Sequence, residues 1–249
     1  MEGSDKMTDI VHCVTTMNKQ YYENIGKIMI HTWSDVFPEN YRLHLYLEDF
    51  TLETTDTRII LEDYSQVNDL WNIWFERNSD ATLSNQKFSK KACTQIAFWE
   101  KLNQGKSIWL DADMVFLKKV PQDFFESILE GYALASWGHY SFESGTVFVN
   151  LSHMEWDKIL NCYKDIYVGE RGLPDGERWL DGEILGRAVK DSGVEYKDLW
   201  CYCDKKTSTP LNWSWIGQYM RHFKAKHKKR LTQELVNEDV NRPDLVKLL

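Results

Sequence analysis

The stretch Lys106-Ser-Ile-Trp-Leu-Asp-Ala-Asp-Met-Val-Phe-Leu117 narrows the choice of fold more than any other part of this chain. Ile108, Trp109 and Leu110 form a short apolar run after Gly105 and read as a buried strand. Asp111 and Asp113 interrupt the run, and Met114 to Leu117 resume it. Residues two apart on an extended chain face the same side, so the spacing predicts that the two carboxylates converge. Like charges held together are unfavourable unless a cation or hydrogen bonds neutralise them. Hard oxygen ligands suit a Mg²⁺ or Mn²⁺ ion carrying the phosphates of a substrate. An aspartate pair that only ends a strand or caps a helix is the plainer account of the same residues.

The segments before this motif alternate between the two periodicities. Residues 10–16 and 43–47 read as strands, 58–62 as a short third strand, and 21–36 as a helix with Ile25, Ile28, Met29 and Trp33 on one side. A helix over 69–75 follows, then a polar turn at 78–85 and a helix over 87–102 that leads through Gly105 into the strand. Strand–helix alternation of this kind predicts a parallel α/β sheet. Beyond the motif, Pro121 opens a short helix, 132–137 and 146–151 read as strands, Asp181 begins a helix, and 199–203 reads as a late strand. The tail from 231 reads as one amphipathic helix, interrupted near Arg242-Pro243. With no repeat and no linker, the expectation is one domain over 1–249, with a nucleotide-binding half at 8–115, a second half at 116–230 and a C-terminal helix at 231–249.

Composition sets outer limits. The 249 residues include 11 Trp and 12 Tyr, enough for a large core with some rings left for binding. No apolar run approaches the roughly 18 residues a membrane span requires. The polar N-terminus has no apolar core of a signal peptide, and five cysteines without a C-x-x-C pair suit a reducing compartment. A cytoplasmic protein is expected. A net charge of −8 opposes general nucleic-acid binding, although Arg221 to Arg230 form a locally basic run.

Four segments together resemble the GT-A glycosyltransferases, in particular the small retaining enzymes related to glycogenin and the lipopolysaccharide galactosyltransferases. Trp109-Leu-Asp-Ala-Asp113 is similar to the family's metal-binding DxD. Phe142-Glu-Ser-Gly-Thr-Val-Phe-Val-Asn150 resembles its Asn-Ser-Gly turn into a strand, with Glu143 where asparagine is usual. Trp179-Leu-Asp-Gly-Glu183 resembles its Asp-Gln-Asp helix start, with Gly182-Glu183 in place of Gln-Asp. Arg221-His-Phe-Lys-Ala-Lys226 resembles its late His-aromatic element. The resemblance implies one Rossmann-like domain with a mixed, mostly parallel sheet flanked by helices. It further implies transfer of a sugar from a nucleotide-sugar donor to a hydroxyl acceptor, with retention at the anomeric carbon.

On that reading Asp111, Asp113 and His222 hold the metal, Mn²⁺ or Mg²⁺, with Mn²⁺ preferred to Ca²⁺ because an imidazole suits a transition metal. His227 competes with His222. Thr15, Thr16 and Asn18 follow the first strand, beyond whose carboxyl end an open α/β sheet binds its ligand. They join Lys90, Lys91, Asp111, Ala112 and Lys224 as the donor-binding set. Asp181 contacts the donor sugar, Glu143 acts as nucleophile or orients a hydroxyl, and Lys226 meets the outer phosphate. For each lysine taken singly a solvated surface role is the plainer account, and for Asp181 a helix cap. Trp71, Trp74, Trp213 and Trp215 are candidates to stack on the acceptor, with core packing the alternative. The acceptor is expected to be a glycan or small molecule, with a hydroxymethylated DNA base as the alternative. Two other readings fit the aspartate pair: a haloacid-dehalogenase-type phosphatase, and a sugar- or nucleotide-binding module without turnover.

Overall fold

The computed structural model describes residues 9–138, 142–173, 179–202, 209–223, 232–233, 235–236 and 241–248. Its first half runs β1 (Val11–Met17), α1 (Lys19–Tyr21), a π-helical turn (Tyr22–Gly26), α2 (Lys27–Val36), β2 (Tyr41–Leu47), β3 (Ile59–Glu62), α3 (Ser65–Arg77), α4 (Leu83–Leu102) and β4 (Lys106–Leu110). There follow β5 (Met114–Phe116), α5 (Phe124–Leu129), β6 (Leu134–Ser136), β7 (Thr146–Asn150), α6 (Trp156–Tyr167), α7 (Asp181–Ser192), β8 (Lys197–Asp198) and β9 (Met220–His222). Short 3-10 segments occupy Leu199–Tyr202, Pro210–Trp213, Trp215–Gln218 and Pro243–Leu248.

Seven strands form one sheet in the order β3-β2-β1-β4-β7-β6-β8. The pairs β2/β3, β1/β2, β1/β4 and β6/β8 are parallel, and β7 runs against both β4 and β6. The expected mixed, mostly parallel sheet flanked by helices is therefore what the chain builds. Strand alternation splits the core in two. Cys13, Ile108 and Leu110 face a core shared with Met29 and Trp33 of α2 and Phe124 and Phe125 of α5. Val14 and Trp109 face the opposite core, shared with α3, α4, α6 and α7. A second sheet of two strands, β5 and β9, lies beyond the end of β4.

Several local expectations are corrected. The helix expected over 21–36 begins at Lys19 and passes through the π-helical turn, where a Cβ on Gly26 would lie 2.7 Å from Met17 Sδ. Helix α4 begins earlier than expected, because Thr82 caps it by accepting from the Asn85 N–H at 3.2 Å. The strand expected at 199–203 is a 3-10 turn instead. Asp198 Oδ1 accepts from the Trp200 N–H at 2.9 Å and the Gly138 N–H at 3.1 Å, which curls the chain out of β8. Helix α6 carries no expectation from the sequence, although Trp156, Ile159, Leu160, Tyr163, Ile166 and Tyr167 recur at helical spacing on its buried face. In the tail, Leu245 of the 3-10 segment packs with Ile25, Ile28, Val115, Phe223 and Leu235. No described helix is long and apolar enough to cross a membrane.

Candidate metal and donor site

Strand β4 delivers Asp111 to the carboxyl end of the parallel half of the sheet, but the chain does not continue extended through the motif. Asp111 and Asp113 occupy a tight turn in which the Met114 N–H donates to the Asp111 carbonyl at 3.1 Å. The carboxylates converge through this turn, and not through the strand alternation expected from their spacing. The turn sends the chain into β5, which pairs antiparallel with β9 and sets Met114 opposite His222. His222 Nε2 thereby lies 3.0 Å from Asp113 and 3.8 Å from Asp111. One ligand atom from each of the three residues falls within 4.8 Å of the other two.

This donor set fits a divalent metal. Two carboxylates and one imidazole supply hard oxygens and one borderline nitrogen, leaving positions for water or phosphate. The second nitrogen of His222, Nδ1, faces the Glu143 carboxylate at 3.7 Å. A proton held on that side leaves the Nε2 lone pair directed at the two aspartates, the tautomer a metal requires. Glu143 is itself fixed, since its carboxylate accepts from the Gly145 N–H at 2.9 Å. There is no room to spare: a Cβ on Gly145 would sit 2.6 Å from the imidazole and 2.7 Å from the Glu143 carboxylate.

Charge balance around the cluster follows from burial. Burial alone would raise the Asp113 carboxyl, but His222 and a hydrogen bond from Tyr21 hold it well below the usual range. The Tyr21 hydroxyl donates to Asp113 Oδ2 at 2.8 Å, and burial together with that carboxylate pushes its own ionisation up, so it stays a donor. Burial would lower His222, yet Asp113, then Asp111 and Glu143, raise it above its ordinary value.

Lys91, buried on α4, reaches Asp111 Oδ1 and Asp181 Oδ2, each at 2.6 Å. Burial disfavours its charge, but the two carboxylates outweigh this and raise its pKa. Asp181 also accepts from Ser144 Oγ at 2.7 Å. Despite its burial, Asp181 is kept below the usual carboxyl range by Lys91 and Ser144. It is the first residue of α7, and Leu180, not Asp181, occupies the cap position, without a side-chain hydrogen bond. The helix-cap account of Asp181 is thus replaced by an ion pair with Lys91.

A cleft opens beside the cluster. Thr16 and Met17 line it from the end of β1, Asn18 and Tyr21 from the cap and last residue of α1, Glu48 from the end of β2, and Trp109, Asp111 and Ala112 from β4 and the turn after it. Leu83, Gln86, Lys87, Phe88, Lys90 and Lys91 close it from α4. Of the expected donor-binding residues, Thr16, Asn18, Lys90, Lys91, Asp111 and Ala112 therefore share one cleft. Thr15 does not join them: it is fully buried and is not among the residues that line the cleft. Lys90 pairs with Glu48 at 3.2 Å and lies over the Trp71 ring. Trp74 is fully buried, Trp71 stacks on Phe75 and Trp215 packs against Phe124 and Tyr219, while Trp213 is 50% exposed. Lys224, Lys226 and His227 lie outside the described residues. Sequence reasoning missed the Tyr21 hydroxyl as a partner of Asp113 and Ser144 as a partner of Asp181. Both are contacts between distant segments that no local pattern announces.

No family model and no curated protein sequence matches the chain. Solved structures do. Mouse xyloside xylosyltransferase 1 in its apo form superposes with a TM-score of 0.55 at 12% identity, over 87% of this chain and 98% of that one. The bifunctional glycosyltransferase WbbM in its apo form gives a TM-score of 0.50 at 12% identity, over 74% of this chain and 38% of that one. With its strand order, the reversed β7 and the acidic turn at the end of β4, the chain has the GT-A glycosyltransferase fold.

Proposed function

We propose that this protein transfers a sugar from a nucleotide-sugar donor to a hydroxyl acceptor, with a divalent metal held by Asp111, Asp113 and His222. The observation that carries this reading is the Asp–Asp–His cluster beside a cleft that Asp111 itself lines and that the carboxyl ends of β1, β2 and β4 and the side of α4 enclose. The fold supports this reading over the phosphatase one, since the aspartate pair follows the fourth strand in chain order and not the first.

Cleavage of a glycosyl–diphosphate bond leaves negative charge on the departing diphosphate, so stabilising that charge is the main catalytic task. A bound divalent ion supplies a Lewis acid for it, and Mn²⁺ is favoured over Mg²⁺ by the imidazole ligand. The chain's own residues hold this arrangement in advance. Tyr21 fixes Asp113, Lys91 fixes Asp111, and the Glu143 carboxylate faces Nδ1 of His222. Thr16 and Asn18, which line the cleft, are the candidates to hold the nucleoside, with Lys90 at the cleft wall. Asp181 is an ionised acceptor, suited to a hydroxyl of the donor sugar beside its reacting carbon. Glu143 is the candidate nucleophile for transfer with retention, and Lys224 and Lys226 are candidates to meet the outer phosphate. The half-exposed ring of Trp213 suits stacking on a sugar of a glycan or small-molecule acceptor.

Thermal unfolding of wild type and Asp113→Asn with a panel of nucleoside diphosphates, with and without Mn²⁺, tests the reading. One nucleotide should raise the wild-type midpoint only when metal is present, and should leave Asp113→Asn unmoved. A panel in which no nucleotide shifts either protein would sink it. The anomeric configuration of the product, read by proton NMR, then decides between retention and inversion. If hydroxymethylated DNA is the acceptor instead, activity on it should fall steeply with salt.

A further inference from the structure

His222 lies at the edge of the two-stranded sheet, and its backbone has an unusual partner. Antiparallel strands alternate between residue pairs that exchange backbone hydrogen bonds and pairs that do not. Here the Phe223 N–H donates to the Asp113 carbonyl at 3.0 Å and the Leu117 N–H to the Tyr219 carbonyl at 2.7 Å. With Val115 opposite Arg221, this phase places Met114 and His222 in a pair that does not exchange bonds. The N–H and C=O of His222 therefore point away from β5, and a third strand would be needed to meet them.

Asn212 meets them instead. Its Oδ1 accepts from the His222 N–H at 2.7 Å, and its Nδ2 donates to the His222 carbonyl at 2.8 Å. A carboxamide carries one donor and one acceptor on the same edge, as a peptide unit does, and so can stand in for the missing strand. The loop that presents it is tightly built. Ser214 Oγ donates to the Leu211 carbonyl at 2.8 Å, and the Gly217 N–H to the Ser214 carbonyl at 2.9 Å. A Cβ on Gly217 would lie 2.6 Å from the Asn212 carbonyl, so the returning chain passes in direct contact with the backbone of Asn212.

We infer that Asn212 is a positioning residue for the metal ligand His222, so that the metal affinity of the site depends on a loop that contributes no ligand of its own. The inference rests on the proposed role of Asp111, Asp113 and His222 in holding a metal. Both hydrogen bonds fall on the backbone of the ligand residue, leaving its imidazole free to face the two aspartates. Loss of the carboxamide would let the end of β9 swing, and the third ligand with it.

The test is Mn²⁺ binding, followed by the loss of the free-ion signal in electron paramagnetic resonance, together with the metal-free melting temperature. Wild type, Asp113→Asn, Asn212→Ala and Asn212→Asp are compared, the last keeping the acceptor for the His222 N–H but not the donor to its carbonyl. Asn212→Ala should weaken Mn²⁺ binding about 10-fold or more, in the range that residues supporting a ligand usually command. Asn212→Asp should fall between it and wild type, and decides the question if the alanine variant does not fold. A lower melting temperature with unchanged Mn²⁺ affinity would overturn the inference and leave the metal site standing. Equal Mn²⁺ binding by wild type and Asp113→Asn, or none by wild type, would instead overturn the metal site itself.

Discussion

An ammonium group taken out of water keeps its charge only if the groups that replace the water are anionic and close. Lys91 meets that condition with two carboxylates, Asp111 on one side and Asp181 on the other, each at 2.6 Å. Replacing Lys91 by Met should therefore cost about 3–5 kcal/mol of stability at pH 7, since two partly or fully buried carboxylates lose their counter-charge. The pH dependence separates charge from packing. Asp181 has a lowered pKa in the folded protein, so its contribution is full above the unfolded carboxyl value near 4 and disappears as pH falls through the folded value. The gap between wild type and Lys91→Met in urea denaturation should therefore narrow as pH drops below about 4. A gap of equal size at pH 7 and pH 3 would mean that Lys91 stabilises by packing alone. At this scale the sequence was partly legible. Asp111, Asp113 and His222 carry chemistry that residue type and motif announce, whereas Lys91, 20 residues before Asp111, has a partner that only the fold can supply.

Helix α7 shows how an element, and not a single contact, places a functional loop. Its first turn carries Asp181 and then Gly182, and a Cβ on Gly182 would lie 2.2 Å from the Phe142 carbonyl oxygen. One turn later, a Cβ on Gly186 would lie 2.9 Å from the Phe142 side chain. The glycines thus form a seat into which the 142–145 segment settles, carrying Glu143 towards His222 and Ser144 towards Asp181. Gly182→Ala should push this segment outward and cost about 1–3 kcal/mol, as overpacking does. Gly193 ends the same helix with φ +67° and has open space around it, so Gly193→Ala should cost only about 1 kcal/mol, from backbone strain alone. Donor-dependent stabilisation should be lost in the first variant and kept in the second; a reversed order would show that the seat does not place the loop. In the sequence, Trp179-Leu-Asp-Gly-Glu183 marks the start of this helix, but nothing marks Phe142 as the partner of its glycines. Helix α6 is the opposite case, because its apolar spacing is plain in the sequence while its packing against α7 and α4 is not.

Across the whole molecule, local pattern was enough to find most strands, since a buried strand needs only its own apolar residues. Their order was not legible: β4 sits between β1 and the antiparallel β7, and no residue of β4 states which neighbour lies on which side. The same lateral pairing creates a polar chain through the sheet that strand pattern does not show. His12 of β1 lies 2.9 Å from His44 of β2, His44 lies 2.7 Å from Glu62 of β3, and Glu62 pairs with Lys101 of α4. Burial, then His44 and Arg42, lower the His12 pKa from 6.5 to about 4, with Glu62 opposing them. Its folded value lies below its unfolded one, so between pH 6.5 and about 4 the unfolded chain binds more protons and stability rises with pH. The neutral ring contributes fully above pH 6.5, and that contribution is lost as pH falls towards 4. Because the ring is partly exposed, solvent screening reduces the effect to about 1–2 kcal/mol. His222 acts in the opposite sense, since its raised pKa favours the folded state at lower pH. The comparison must therefore be between wild type and His12→Gln, in which the His222 effect cancels. Urea denaturation at pH 7.5, 5.5 and 4.5 should show wild type losing stability relative to the variant as pH falls. Parallel curves for the two proteins would mean that His12 takes up its proton in the folded sheet as readily as in the unfolded chain.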